Sequence, residues 1–142
     1  MGEMETRIEL VKQFTVKGYE MNGPVTDIPK LWDELNRIIE EKGAKPEESF
    51  GITLGMDNGT FHYLAGIHSE LAKGFTDTKE LVIPSGKFII AKVEGGVEAI
   101  PAAFDALLSN PDMKLRHSYG FERYIHPAGS TGFETEVWVA IE

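Results

Sequence analysis

Apolar residues return at helical spacing in two segments. Ile28, Leu31, Trp32, Leu35, Ile38 and Ile39 fall at offsets 0, 3, 4, 7, 10 and 11, which is one face of an α-helix. Thr26 or Asp27 is placed to cap its start, Pro29 suits the first turn and Gly43 suits the end. Val97, Ile100, Phe104, Leu107 and Leu108, at offsets 0, 3, 7, 10 and 11, predict a second helix, closed by Asn110-Pro111. Elsewhere the pattern is that of strands. Phe14 to Met21 and Lys87 to Val93 precede the two helices. Phe50 to Met56 and Phe61 to Ile67 follow the first, and Asn58-Gly59 between them signals a hairpin. Tyr119 to Ile125 and Phe133 to Ile141 follow the second. Ser69 to Gly86, with its Gly and Pro, reads as the crossover between halves.

The halves share more than an order of elements. Ile28-Pro29-x-x-Trp32-Asp33-x-Leu35 returns 72 residues later as Ile100-Pro101-x-x-Phe104-Asp105-x-Leu107. The same offset relates Gly23 to Gly95 and Phe61 to Phe133. A duplicated strand–helix–strand–strand unit accounts for this, with halves at about 7–70 and 80–142 of a single domain spanning 1–142. Two such units pair around a pseudo-two-fold axis. The expected fold is α+β: an antiparallel sheet with both helices on one face and a ligand groove between the halves. The sheet face away from the helices is expected to stay open for a ligand or partner.

Composition narrows the function. At 142 residues, 42% hydrophobic and 26% charged, the chain can bury one sizeable core. Its 14 Lys and Arg against 23 Asp and Glu give a net charge of −9, unsuited to direct nucleic-acid binding, which needs a basic footprint. There is no cysteine, hence no disulfide and no thiolate chemistry. An acidic N-terminus without an apolar core segment, and the lack of any run of about 18 apolar residues, point to a cytoplasmic protein that does not engage membranes. His62, His68, His117 and His126 lack metal-ligand spacing. No phosphate loop or nucleophile elbow occurs. No metal, cofactor or catalytic residue is therefore assigned.

The carboxylates and aromatics carry more. In the last strand Phe133, Thr135, Val137, Val139 and Ile141 make the better core face, so Glu136 and Trp138 are expected on the open face. If the preceding strand pairs with it, Glu122, Tyr124, Glu136 and Trp138 come together on one surface. Acid plus aromatic rings is the chemistry of a cation site, because π faces attract a cation and a carboxylate neutralises it. Trp32 and Phe104 sit on the helix stripes and are expected in the core; at equivalent positions of the repeat, they can also wall a groove between the halves.

Several motifs in order resemble a known pattern. They are Ile28-Pro29-x-Leu31-Trp32, Phe61-x-Tyr63-x-Ala65-Gly66-Ile67, Ile83-Pro84-x-Gly86-Lys87-Phe88, Phe121-Glu122-Arg123-Tyr124 and the closing Glu136-Val137-Trp138-Val139-Ala140-Ile141. Over roughly residues 7 to 142 the chain resembles the gyrase-inhibitor-like small-molecule-binding family, which includes effector-binding domains of multidrug-responsive transcription regulators and a stand-alone integron-cassette branch. The resemblance implies a groove lined by aromatics with a buried glutamate that meets cationic ligands. By motif position it makes Glu136 that glutamate, and it carries over Glu122, Tyr124, Tyr63 and Trp32 as further groove residues. Ala140 stands where the family often has proline. The expected function is a stand-alone binding protein for amphipathic or cationic aromatic compounds, without an attached DNA-binding domain. Two alternatives stay open. One is hydrolysis of small strained, cyclopropane-bearing compounds by a groove glutamate and tyrosine. The other is an acidic protein-interaction role such as topoisomerase inhibition.

Overall fold

Alternation along the strands sorts side chains to two faces of one sheet, and each face carries buried core residues. In the computed structural model, which describes residues 5–94, 97–109, 114–116, 118, 120–125 and 134–142, eight strands and two helices follow one another. They are β1 (Thr6–Val11), β2 (Phe14–Pro24), α1 (Ile28–Glu41), β3 (Glu48–Asp57), β4 (Thr60–His68), β5 (Lys79–Ile83), β6 (Gly86–Val93), α2 (Ile100–Leu108), β7 (Phe121–Ile125) and β8 (Glu134–Ile141). The expected turn at Gly95-Gly96, the Asn110-Pro111 stop, and Tyr119, His117, His126 and Phe133 lie outside the described residues.

All strands pair antiparallel in one curled sheet of order β1-β6-β8-β7-β3-β4-β2-β5. Exchanging β1 with β5, β2 with β6, β3 with β7 and β4 with β8 reverses that order, so the topology is two-fold symmetric. The offset of 72 holds to the residue at three starts: β2 and β6, α1 and α2, and the 3-10 turns Val25–Asp27 and Val97–Ala99 that lead into the helices. α1 packs over β2 and β4, and α2 over β6 and β8. The central strands β3 and β7 therefore lie between the helices.

Leu31 and Leu35 of α1 bury against Tyr63, Ala65 and Ile67 of β4. Ile100, Ala103 and Leu107 of α2 bury against Ile89, Ala91, Val137, Val139 and Ile141. The opposite face, expected to be open, is instead a third core of Val16, Phe50, Ile52, Leu64, Ile83, Phe88, Ile90, Phe121, Trp138 and Ala140. The sheet's curl closes this face around a chain of rings. Phe50 and Phe121 centroids lie 5.7 Å apart, Phe88 and Phe121 also 5.7 Å, and Phe121 stacks on Trp138 at 5.4 Å.

Local chemistry explains the boundaries. Asn58 and Gly59 both have positive φ, 50° and 82°, as a two-residue hairpin turn between β3 and β4 requires. Gly43, at φ 69°, ends α1: its N–H and that of Ala44 donate back to the Glu40 and Ile39 carbonyls, a Schellman closure. The expected side-chain cap is not made. The 3-10 turn runs directly into α1, leaving Asp27 helical, with its carboxylate 3.5 Å from Lys30 instead. The segment expected as a plain crossover contains β5, which pairs with β2 as a sheet edge. β1 and β5 escape the apolar pattern because edge strands expose and charge their side chains.

Candidate functional site

The uncovered centre of the helix-bearing face is a cavity of about 730 Å³. The repeated motif supplies both of its walls: Ile28, Pro29 and Trp32 from α1, and Ile100, Pro101 and Phe104 from α2. Ser49 and Thr53 of β3, Tyr63 of β4, and Glu122 and Tyr124 of β7 also line it. Met56 and Phe61, flanking the hairpin, add apolar surface.

The polar centre is built from four side chains. The Tyr63 and Tyr124 hydroxyls each donate to Glu122 Oε1 at 2.9 Å. The Trp32 indole N–H donates to the Tyr63 hydroxyl at 3.0 Å, and the Trp32 ring meets Tyr124 edge-on at 5.1 Å. Gly51 makes the room. A Cβ there would stand 1.9 Å from the Tyr63 hydroxyl and 2.8 Å from Glu122 Oε1. Burial pushes the Glu122 carboxyl up to about 7, against the opposing pull of its two tyrosine hydrogen bonds. Burial, then the Glu122 charge, pushes both phenols up, so they remain donors. No lysine, arginine or histidine is among the described residues that line the cavity.

Glu136 and Trp138 lie elsewhere. β7 and β8 pair with Arg123 opposite Glu136, Phe121 opposite Trp138, and Glu122 opposite Val137. Glu122 and Tyr124 therefore face the helices, while Glu136 and Trp138 face the third core. The expected single surface of Glu122, Tyr124, Glu136 and Trp138 is split across the sheet. Nor is the Glu136 face open, since Glu136 and Trp138 are 6% and 7% exposed. Glu136 is already neutralised: it accepts from Arg7 Nη1 at 2.7 Å, Arg123 Nη1 at 2.8 Å and the Trp138 indole at 3.0 Å. Burial pushes its carboxyl up, but the hydrogen bonds from Arg7, Trp138 and Arg123 outweigh it and hold the group below its ordinary value. The raised carboxyl of this molecule's helix-bearing face is Glu122, not the Glu136 that the resemblance made the ligand-meeting glutamate.

The difference has a simple cause. The last strand's faces were read correctly from alternation, with Val137, Val139 and Ile141 under α2. The partner strand's register was not readable, and a one-residue slip exchanges its faces. Gly51, Ser49 and Thr53 were also missed, because small residues on a central strand carry no chemical signal of their own. The repeated Ile-Pro-x-x-aromatic motif did mark the walls.

A domain whose helices flank a mostly apolar cavity with one buried carboxyl, unpaired with any cation among the described residues, belongs to the class of small-molecule-binding domains. The comparisons agree. Residues 4–142 match the GyrI-like small molecule binding domain, and the chain belongs to that family. It is 32% identical over 114 residues to the transcriptional regulator BrlR of Pseudomonas aeruginosa, covering 75% of this chain and 42% of that protein. The chain thus spans about two fifths of that relative's length. Its fold is similar to SAV2435 bound to tetraphenylphosphonium (TM-score 0.70, 16% identity, 98% of this chain and 94% of that one). It is also similar to the EcmrR C-terminal domain (TM-score 0.70, 14% identity, 98% of each chain). Among the described residues no helix is long and apolar enough to cross a membrane.

Proposed function

We propose that the chain binds amphipathic, cationic aromatic compounds in the cavity between α1 and α2, with Glu122 as the charge-selecting group. One observation carries this: a buried carboxyl, hydrogen-bonded by two tyrosines and without a cationic partner among the described residues, sits in a mostly apolar, aromatic cavity. A bound cation supplies the missing counter-charge, and the rings of Trp32, Tyr63, Tyr124 and Phe104 supply apolar area and cation–π contact. The structural similarity to SAV2435, which is described bound to tetraphenylphosphonium, supports the reading. The likeness to BrlR and to the EcmrR C-terminal domain supports an effector-binding role allied to transcription regulation.

Fluorescence tests it. Of the two tryptophans, Trp32 lines the cavity and Trp138 does not. Tetraphenylphosphonium is expected to quench emission saturably, and Trp32→Phe to abolish most of the response. Quenching that persists in Trp32→Phe, or none in the wild type, contradicts the reading.

A second reading is favoured by one detail. A carboxyl raised to about 7 beside two phenols is also suited to proton transfer, as hydrolysis of a strained ring requires. Product formation from a cyclopropane-bearing compound, lost in Glu122→Gln, would establish it. Binding without turnover would exclude it for that compound.

A further inference from the structure

We propose that the preferred ligand carries two cationic centres joined by an apolar spacer, one met by Glu122 at the floor of the cavity and the other by Asp33 at its rim. This rests on the cavity being the ligand site proposed above. Among the described residues lining it, Asp33 and Glu122 are the charged ones, and both are acidic. Five α1 residues line the cavity: Ile28, Pro29, Trp32, Asp33 and Asn36. They form one stripe, since 28, 32 and 36 stack one turn apart, as do 29 and 33. Trp32 reaches down to the Tyr63 hydroxyl. Asp33, the next residue, is exposed. Glu122 is buried and Asp33 exposed, so the two carboxylates stand at different depths of one cavity whose lining also holds the aromatic and proline residues.

Asp33 is also unpaired among the described residues. Its helical neighbours of opposite charge, Lys30 at i−3 and Arg37 at i+4, engage Asp27 and Glu41 instead, at 3.5 and 3.0 Å. The repeat does not explain its place. Asp105, the equivalent residue on α2, does not line the cavity, so the rim charge comes from one wall only. A volume of about 730 Å³ is within the range of sites that take drug-sized ligands, which leaves room for a spacer.

The test uses bis(trimethylammonium) dications with one or two phenylene rings as spacer. Each is paired with a monocation in which tert-butyl replaces one trimethylammonium. Titration calorimetry on the wild type, Asp33→Asn and Glu122→Gln reads the ratio of the two affinities. In the wild type at least one dication is expected to bind about fivefold tighter than its monocation, the upper scale of an exposed ion pair. Asp33→Asn should bring that ratio to less than about twofold. A wild-type ratio near one for every spacer, or a preference that survives Asp33→Asn, overturns the proposal while leaving the Glu122 site standing. Failure of both members of every pair to bind, or equal binding to Glu122→Gln, overturns the underlying site and this inference with it.

Discussion

Glu122 of β7 and Glu136 of β8 lie on adjacent strands but opposite faces of the sheet, and their fates are opposite. Glu136 is gripped by Arg7 and Arg123 and is a settled anion. Among the described residues Glu122 accepts from two tyrosine hydroxyls and meets no cation, and its burial makes it hold a proton up to about pH 7. The sign of the pH effect follows. Between the ordinary value of 4.5 and about 7 the folded state binds more protons at this site than the unfolded state, so its contribution falls as pH rises through that window. Ionising it costs about 3 kcal/mol of stability, the free-energy equivalent of that shift. Glu122→Gln should remove this decline, which denaturant unfolding at pH 5 and pH 8 would show. At Gly51 the expected effect is steric. Gly51→Ala displaces the Tyr63 hydroxyl, so it should weaken cation binding by about tenfold, the scale of one lost charge-assisted hydrogen bond, as titration calorimetry would measure.

Across elements, a run of alternating charges crosses the third core's rim. Arg7 of β1 reaches Glu136 of β8, which meets Arg123 of β7, which meets Glu48 of β3 at 2.7 Å, which accepts from His68 of β4 at 2.5 Å when that ring carries the proton. It ties five strands, edge strand β1 included, to one another. The hydrogen bond from His68, then those from Arg123 working against burial, lower the Glu48 carboxyl, and Glu136 is lowered as well. Their stabilisation is present above their ordinary value and is lost as pH falls below it, the reverse of Glu122. Arg123→Met should cost about 2–4 kcal/mol at neutral pH by leaving the buried Glu136 and the half-buried Glu48 short of a cation, and should cost less near pH 3, read from urea midpoints. The helices and the hairpin were legible in the sequence because each rests on local chemistry: the Ile-Pro helix starts, Asn58-Gly59, and Gly43. The pairing of Arg123 with Glu136 was not, because register between strands separated by eight residues in sequence is set by packing rather than by a tight turn.

At the scale of the whole molecule, symmetry makes the site. Each half buries its helix on its own outer strands, and the two central strands are left between the helices. Neither half alone has a cavity with two walls. The same repeat explains why Trp32 and Phe104 are both core-supported and cavity-lining. The net charge of −9 adds a long-range field that favours cations before contact. Association of a cation should therefore slow as salt rises through the range where the screening length drops below about 10 Å, while a neutral analogue's rate stays flat in stopped-flow fluorescence.

The central claim is that Glu122, not Glu136, selects the cation, and that it must ionise to do so. Titration calorimetry of tetraphenylphosphonium at pH 6 and pH 8, on the wild type and on Glu122→Gln, tests it most directly. The wild type should bind about tenfold more tightly at pH 8, because a carboxyl at about 7 is mostly protonated at pH 6. Glu122→Gln should bind weakly and equally at both. A wild-type affinity independent of pH, together with full affinity in Glu122→Gln, would contradict the account.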